Sequence, residues 1–343
     1  MPIDAEMKVQ RASGDSHTLT VRGLHISFGD GLDAVHGVDL TAHAGETVAI
    51  VGESGCGKTV TALALAGLLP VGARARGSAS LDGTELIGRS EREMRRIRGS
   101  RVGVIFQDAS TALNPLMTIG DQIEEVMTIH SRMRRAERRA SVIQLLDSVG
   151  VPDAKSRAKS FPHELSGGMR QRVMIAIALA GQPELIIADE PTTALDVTVQ
   201  AQVLALLRDS TRESIVLFIT HDMGVVAEIA QSVVVMYAGI VAESGPLENI
   251  LNHPQHPYTV ALLASVPDPD SPRVGELPTI PGRVPPIGER DNGCPFRDRC
   301  PKRTQVCETM PPLAAAGNQG TLVACWHPES ETVPVPQIEG CAV

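Results

Sequence analysis

The feature that most constrains this chain is a glycine-rich segment at residues 52–59, which reads Gly-Glu-Ser-Gly-Cys-Gly-Lys-Thr. It follows the apolar run Thr47–Val51, which is typical of a strand buried on both faces, and it precedes a helix predicted from about Lys58. Glycines at this spacing let backbone N–H groups turn inward around an anion, and the helix N-terminus adds positive charge. The segment therefore predicts a nucleotide phosphate site.

Each residue type in this loop has an expected role. Lys58 supplies a point charge at the β- and γ-phosphates, and the Thr59 hydroxyl is placed to bind Mg²⁺. We interpret Cys56 as a tolerated small residue and not as a catalytic thiol. The expected nucleotide-binding residues of the loop are Gly52, Ser54, Gly55, Cys56, Gly57, Lys58 and Thr59.

A second apolar run, Leu185–Ala188, ends in two acids, Asp189 and Glu190. Ligands of open α/β sheets bind at strand ends. We expect Asp189 to hold Mg²⁺ through water and Glu190 to polarise the attacking water. An acid pair after a strand is common at protein surfaces. This pair indicates a catalytic magnesium site only because the chain also contains the phosphate loop.

The pattern along the chain predicts an α/β fold. Helical stretches separate most of the buried runs, which favours a mostly parallel sheet. Residues 119–150 have a helical pattern, so we expect a helical insertion at about 108–165 within an α/β domain at 19–255. Its basic run (132–139) is interpreted as a solvated helix face, with a contact to anionic lipid as the alternative. The remaining buried runs are Val102–Phe106, Ile215–Ile219 and Val233–Met236.

Composition excludes several classes of protein. The net charge is −9 and aromatic residues make up 2% of the 343 residues, which argues against nucleic acid as a partner. No apolar run approaches the roughly 18 to 20 residues of a membrane span, and the polar N-terminal residues 1–18, expected to be flexible, do not resemble a signal peptide. We therefore expect the chain to stay in the cytoplasm and, if it works at a membrane, to do so as a peripheral subunit.

The C-terminal residues 256–343 differ from the rest because they are rich in Pro and Gly and hold most of the cysteines. This predicts a small irregular module. Four thiolates with gaps of five, six and seventeen residues can bind either zinc or an iron–sulfur cluster, and the absence of two-residue gaps disfavours zinc. The four are Cys294, Cys300, Cys307 and Cys325, whereas Cys341 is expected to be free.

Residues Leu165–Arg172 read LSGGMRQR, which resembles the signature motif of ABC ATPases with Met169 in place of the usual Gln. Four further matches follow the order of that family and extend the resemblance over 19–255. They are the Q-loop residue Gln107, the D-loop Ala194–Asp196, the switch residue His221 and the adenine-stacking residue Phe28.

The resemblance implies that ATP joins two such domains head to tail. Ser166, Gly167, Gly168 and Met169 would then contact the ATP held by a partner subunit. His221 would contact the γ-phosphate, and Gln107 would sense Mg²⁺ and the attacking water. Asp196 would belong to the D-loop. For Phe28, packing in the core remains the alternative to stacking on adenine.

A narrower resemblance involves FQDASTALNP (Phe106–Pro115), ADEPTTALDVTVQAQ (Ala188–Gln202) and the segment from His256 onward. These are similar to the ATP-binding subunits of peptide and nickel importers, whose C-terminal extension holds a 4Fe-4S cluster in some members. Met169 is usual in one of two paralogous subunits.

This narrower resemblance implies a paralogous ATPase partner, two permeases and an extracytoplasmic solute-binding protein. Peptides are the expected cargo, with nickel or another small solute as the alternative and a soluble ABC ATPase of DNA repair or translation as a weaker one. We expect the cysteine module to be structural, so its loss should leave nucleotide binding at Lys58 largely intact.

Overall fold

The computed structural model describes residues 17–329, apart from 30, 194, 267–278, 318 and 319. Of the N-terminal residues 1–18 predicted to be flexible, residues 1–16 lie outside these ranges, as does Cys341, whereas Thr18 already belongs to the first strand. In chain order the strands are β1 (Thr18–Phe28), β2 (Leu32–His43), β3 (Thr47–Val51), β4 (Ala73–Leu81), β5 (Thr84–Glu85), β6 (Val102–Ile105), β7 (Leu185–Asp189), β8 (Ile215–Thr220), β9 (Ser232–Tyr237), β10 (Ile240–Pro246), β11 (Ala314–Ala315) and β12 (Leu322–Val323).

Helices connect most of these strands. In chain order they are α1 (Lys58–Leu65), α2 (Glu91–Ile97), α3 (Ala109–Ala112), α4 (Ile119–His130), α5 (Arg135–Ser148), α6 (Ala154–Arg157), α7 (Gly167–Leu179), α8 (Val197–Ser210), α9 (Met223–Ile229), α10 (Leu247–Asn252) and α11 (Pro257–Ala264). None of the helices in the described ranges is long and apolar enough to cross a bilayer.

The central sheet has the order β11-β12-β10-β9-β3-β8-β7-β6. Strands β6, β7, β8, β3 and β9 pair in parallel, which confirms the α/β fold expected from the buried apolar runs. Every residue of β3, β7 and β8 is buried, as strands covered on both faces require.

A second, antiparallel sheet of order β2-β1-β4-β5 lies beside the first and was not predicted. Its strand β1 alternates buried and partly exposed residues, so only one face is apolar. That face contributes Leu19, Val21, Leu24 and Ile26 to the core cluster that also contains α1. The prediction of a mostly parallel sheet therefore holds only for the central sheet.

The predicted helical insertion is present as α3–α6 between β6 and α7. These helices enclose apolar side chains such as Ile119, Ile123 and Leu146, which join the core cluster of α7 and β7. The insertion is thereby attached directly to the strand that ends in the acid pair.

The described part of the C-terminal segment contains α11, β11, β12 and short 3₁₀ helices, and it is not structurally separate from the α/β core. Strand β12 pairs with β10 and so extends the central sheet. Cys294, Phe296 and Cys307 pack in one cluster with Tyr237 and Tyr258. The sequence of the C-terminal segment does not predict this attachment, because a few buried side chains among many prolines and glycines give no periodic pattern. The domain boundary at residue 255 stays a prediction.

Candidate nucleotide site

The phosphate loop spans residues 52–57, between the end of β3 and the start of α1. Gly52 has φ +147°, and a Cβ there would lie 2.1 Å from the Met236 carbonyl oxygen. Gly57 has φ +106°, and its Cβ would lie 2.9 Å from Val35 Cγ2. Only glycine fits both the backbone conformation and the space, so the two glycines fix the shape of the loop.

Lys58 is held inside this loop. Its side chain is buried, and Nζ donates to the carbonyl oxygens of Gly52 (2.6 Å) and Glu53 (3.1 Å). Cys56 is fully buried, and burial raises the pKa of its thiol although the Lys58 charge acts in the opposite direction. The thiol is therefore neutral and faces the core. Cys56 can serve a phosphate only through its backbone N–H.

Two of the three residues predicted at Mg²⁺, Thr59 and Asp189, meet at the mouth of the loop, whereas the third, Gln107, donates to Glu190. Thr59 Oγ1 donates to Asp189 Oδ1 at 3.2 Å, which joins the start of α1 to the end of β7. Burial raises the pKa of Asp189, and the neighbouring Glu190 charge raises it further. A hydroxyl and a buried carboxylate are oxygen ligands of the kind that Mg²⁺ binds. These residues fit the ion, whose charge would offset the cost of burying the carboxylate.

Glu190 follows β7 directly and adopts the left-handed conformation with φ +46°. Such a conformation is costly for a residue with a side chain and occurs often at functional sites. The Glu190 backbone N–H donates to the Ile219 carbonyl oxygen of β8 at 2.8 Å, which anchors this turn. The turn directs the carboxylate toward the loops that follow β6 and β8.

Three side chains surround the Glu190 carboxylate. Gln107 Nε2 donates to Oε2 at 3.1 Å, Thr193 Oγ1 donates to Oε2 at 2.9 Å, and His221 Nδ1 lies 3.1 Å from Oε1. Burial raises the pKa of Glu190, but the hydrogen bonds with His221 and Thr193 outweigh it and leave the pKa below its usual value. The structure thus brings together Gln107, Glu190 and His221. Thr193 was not predicted, because a threonine in a turn carries no signal of its own.

The phosphate loop and these residues line one cleft of about 850 Å³. Phe28 lies at its wall and also packs against the core, so the two alternatives for this side chain are compatible. Sequence reasoning missed Leu262 and Ile287, which line the cleft from the C-terminal segment. The predicted residues on its wall are Phe28, Gly52, Ser54, Gly55, Gly57, Lys58, Thr59, Gln107, Glu190 and His221.

The signature residues do not line this cleft. Ser166 caps helix α7 by accepting a hydrogen bond from the Met169 N–H, and Ser166 and Gly167 are exposed. The Asp196 side chain caps helix α8 by accepting a hydrogen bond from the Val199 N–H. The exposed N-terminus of α7 is therefore free to serve a nucleotide held elsewhere. Gly168 and Met169 are partly buried at the same helix end.

The four C-terminal cysteines form no disulfide, and Cys325 interacts electrostatically with the other three. Burial, with smaller contributions from Cys294, Cys300 and Cys307, raises the pKa of Cys325 to about 11. A cation among them would remove that cost. In the described part of the chain, no three of these sulfur atoms all lie within 4.8 Å of one another.

A phosphate loop facing Gln107, Glu190 and His221, with a signature helix turned away from it, is the arrangement of an ABC-type ATPase. Comparison of the chain with known proteins agrees. A family model described as "ABC transporter" matches residues 35–193, and a second, "Oligopeptide/dipeptide transporter, C-terminal region", matches residues 242–307.

Known proteins and solved structures give the same result. The chain is 48% identical to the probable D,D-dipeptide transport ATP-binding protein DdpD of Escherichia coli, over 92% of this chain and 98% of that protein. It is also 48% identical to the oligopeptide transport ATP-binding protein OppD of Salmonella typhimurium, over 91% and 94%. The dimeric ATP-binding cassette MJ0796, solved with ADP and Pi, matches with a TM-score of 0.59 and 28% identity, covering 67% of this chain and 98% of that one. The chain therefore belongs to the family of peptide transport ATP-binding proteins of ABC transporters.

Proposed function

We propose that this chain binds and hydrolyses ATP to drive the import of di- and oligopeptides through separate permease subunits. The observation that carries the proposal is the position of an ionised Glu190 between Gln107 and His221, in the same cleft as Lys58 and Thr59. The peptide cargo is supported by the match of the C-terminal region to that of oligopeptide and dipeptide transporters.

The chemistry follows from the charges in the cleft. Lys58 and the loop N–H groups hold the β- and γ-phosphates, and Thr59 and Asp189 are the expected residues for Mg²⁺, which would neutralise phosphate charge when bound. Because its pKa is lowered, Glu190 is a carboxylate at neutral pH and can accept a proton from an attacking water. Gln107 and His221 orient that carboxylate, and His221 is proposed to contact the γ-phosphate.

A second ATPase subunit would complete the site. The phosphate loop covers one side of the nucleotide, and the signature residues Ser166–Met169 lie outside the cleft of their own chain. A head-to-tail pair would bring the exposed N-terminus of α7 to the partner's γ-phosphate. The similar cassette solved as a dimer supports this arrangement. The partner is proposed to be a paralogue.

The transporter would also need membrane subunits, because no described helix can span a bilayer. We place the chain at the cytoplasmic face of the inner membrane, bound to two permeases that receive peptide from an extracytoplasmic solute-binding protein. The helical insertion α3–α6 follows Gln107 directly, so it is suited to transmit changes at the nucleotide to a permease.

The C-terminal cysteines are proposed to bind a 4Fe-4S cluster, with zinc as the alternative. Their gaps in the sequence differ from the two-residue gaps typical of zinc sites. The described part of the segment between them contains only short 3₁₀ helices and the two-residue strands β11 and β12. Such a segment gains little from secondary structure, so a bound cluster would stabilise its fold. Cys294, Cys300, Cys307 and Cys325 would be the ligands.

Vesicles that contain the assembled transporter test the proposal. With ATP inside the compartment that the ATPase faces, a labelled tripeptide should accumulate, and Lys58→Ala should stop the uptake. Accumulation of nickel without peptide would replace the cargo assignment and leave the motor assignment intact. ATP turnover without movement of any solute would contradict the proposal.

A further inference from the structure

The guanidinium of Arg299, one residue before Cys300, uses all five of its N–H groups. Nη1 and Nη2 donate to the two carboxylate oxygens of Glu53 at 2.6 and 3.0 Å. The other bonds reach the carbonyl oxygens of Pro281 (2.6 Å) and Ile280 (3.1 Å) and the Tyr237 hydroxyl (3.2 Å). With its side chain only 5% exposed, Arg299 forms an ion pair with fixed geometry.

Glu53 is the second residue of the phosphate loop, and its backbone is held as firmly as its side chain. Its N–H donates to the Tyr258 hydroxyl of α11 at 2.8 Å. Its carbonyl oxygen accepts from Lys58 Nζ at 3.1 Å and from the Cys56 N–H at 3.3 Å. The residue that Arg299 fixes is thus in direct contact with the lysine expected at the phosphates.

The Glu53–Arg299 ion pair also neutralises a negative charge in the phosphate loop. A free Glu53 carboxylate would lie in the loop that must hold a triphosphate, and like charges in a partly buried site repel strongly. Arg299 neutralises that charge by donating to both carboxylate oxygens of Glu53. Arg299 itself does not line the cleft.

We propose that Arg299 is a positioning residue that holds Glu53 and thereby sets the affinity of the phosphate loop for ATP. Nucleotide affinity then depends on the C-terminal segment, in contrast to the independence expected from the sequence. This inference rests on the phosphate site proposed above.

Equilibrium binding of ATP to the full chain tests the proposal. Arg299→Ala should weaken binding about tenfold, because the loop loses its anchor and gains an unpaired carboxylate. In the assembled transporter, KM should rise while kcat stays within about twofold, because Arg299 contacts none of the groups around Glu190. Arg299→Lys should give an intermediate loss, since an ammonium keeps the charge but not the fork of donors.

The double variant Arg299→Ala with Glu53→Gln distinguishes the effect of an unpaired Glu53 charge from an effect of misfolding. It should recover part of the affinity, because no unpaired carboxylate remains beside the phosphates although the anchor is still missing. Failure of Glu53→Gln to restore binding would contradict the charge argument. Where Arg299→Ala does not fold, Arg299→Lys decides: weaker binding supports the proposal and wild-type affinity overturns it.

Arg297→Ala is the matched control. Arg297 forms a comparable two-bond pair with Asp291 in the same segment. Arg297→Ala should leave the ATP affinity unchanged. If it weakens ATP binding as much as Arg299→Ala does, the effect of Arg299→Ala comes from general loosening of the segment and the proposal is wrong. Lys58→Ala tests the site itself. If Lys58→Ala abolishes binding and Arg299→Ala has no effect, only the role of Arg299 is wrong, whereas normal binding by Lys58→Ala would refute the phosphate site.

Discussion

The imidazole of His221 and the carboxylate of Glu190 form a hydrogen bond of 3.1 Å across the ends of two neighbouring parallel strands, β7 and β8. Burial on its own raises the pKa of Glu190, yet this bond and that from Thr193 bring the pKa below its usual value. His221 therefore helps to keep Glu190 in the ionised form that can accept a proton.

Replacing His221 should change the pH dependence of ATP turnover. Without the hydrogen bond from His221, burial has the larger effect and the pKa of Glu190 rises. On acidification Glu190 is then protonated at a higher pH, and the activity that needs its carboxylate is lost at that higher pH. His221→Ala should shift the acidic limb of the kcat profile upward, besides lowering the rate by about a hundredfold. The exposed His253, which does not line the cleft, provides the control His253→Ala. An unmoved acidic limb would show that His221 does not influence Glu190.

Turnover by the isolated chain should depend on protein concentration, because the signature residues lie outside the cleft of their own chain. Ser166→Glu should leave the ATP affinity of the monomer unchanged and abolish turnover, since it places a negative charge against the partner's γ-phosphate. Specific activity measured across a dilution series tests both statements. Constant activity in a proven monomer, or weaker ATP binding by monomeric Ser166→Glu, would rule out the composite site.

The sequence predicts the buried strands and the phosphate loop, because both depend on short stretches of neighbouring residues. The run Thr47–Val51 is strand β3 at those same bounds, because a short apolar run closed by glycines suits only a buried strand. The ion pair of Glu53 and Arg299 joins residues 246 positions apart, and no periodicity encodes such a partner. The same holds for Thr193 and for the pairing of β12 with β10. Long-range contacts decide these features, so they emerge only from the fold.

Cys300→Ser should remove the metal from the C-terminal segment and make that segment protease-sensitive. Full-length protein prepared without oxygen is expected to contain about four irons per chain, and the variant to contain far less. Because Arg299 is the neighbouring residue, the variant should also bind ATP more weakly. Metal analysis and limited proteolysis provide the readouts, and one zinc per chain with no iron would refute the cluster.

Acid should destabilise the fold partly through His256. This side chain is buried, accepts the Tyr258 N–H at Nδ1, and has a pKa lowered by burial to about 4. Below pH 6.5 the unfolded chain binds a proton that the folded chain excludes, so stability falls as pH falls toward 4. His256 should account for a loss of about 2 kcal/mol between pH 7 and pH 5.

The variant His256→Asn isolates that effect. Asparagine can still cap α11 but does not titrate, so urea unfolding should show a smaller loss of stability between the two pH values. Burial raises the pKa of the nearby Glu243, which acts with the opposite sign and is present in both proteins, so only their difference is informative. Equal pH dependence in the two proteins would exclude His256 as the cause.

Glu190→Gln in the assembled transporter tests the central claim most directly. The amide keeps the shape of the side chain but cannot accept a proton, while Lys58, Thr59 and Asp189 remain to bind nucleotide. The matched control is Glu228→Gln, since Glu228 is exposed on α9 and does not line the cleft. We predict that Glu190→Gln retains ATP binding, traps a closed ATPase pair and lowers ATP turnover and peptide uptake at least about a hundredfold. Hydrolysis near the wild-type rate by Glu190→Gln would contradict the account.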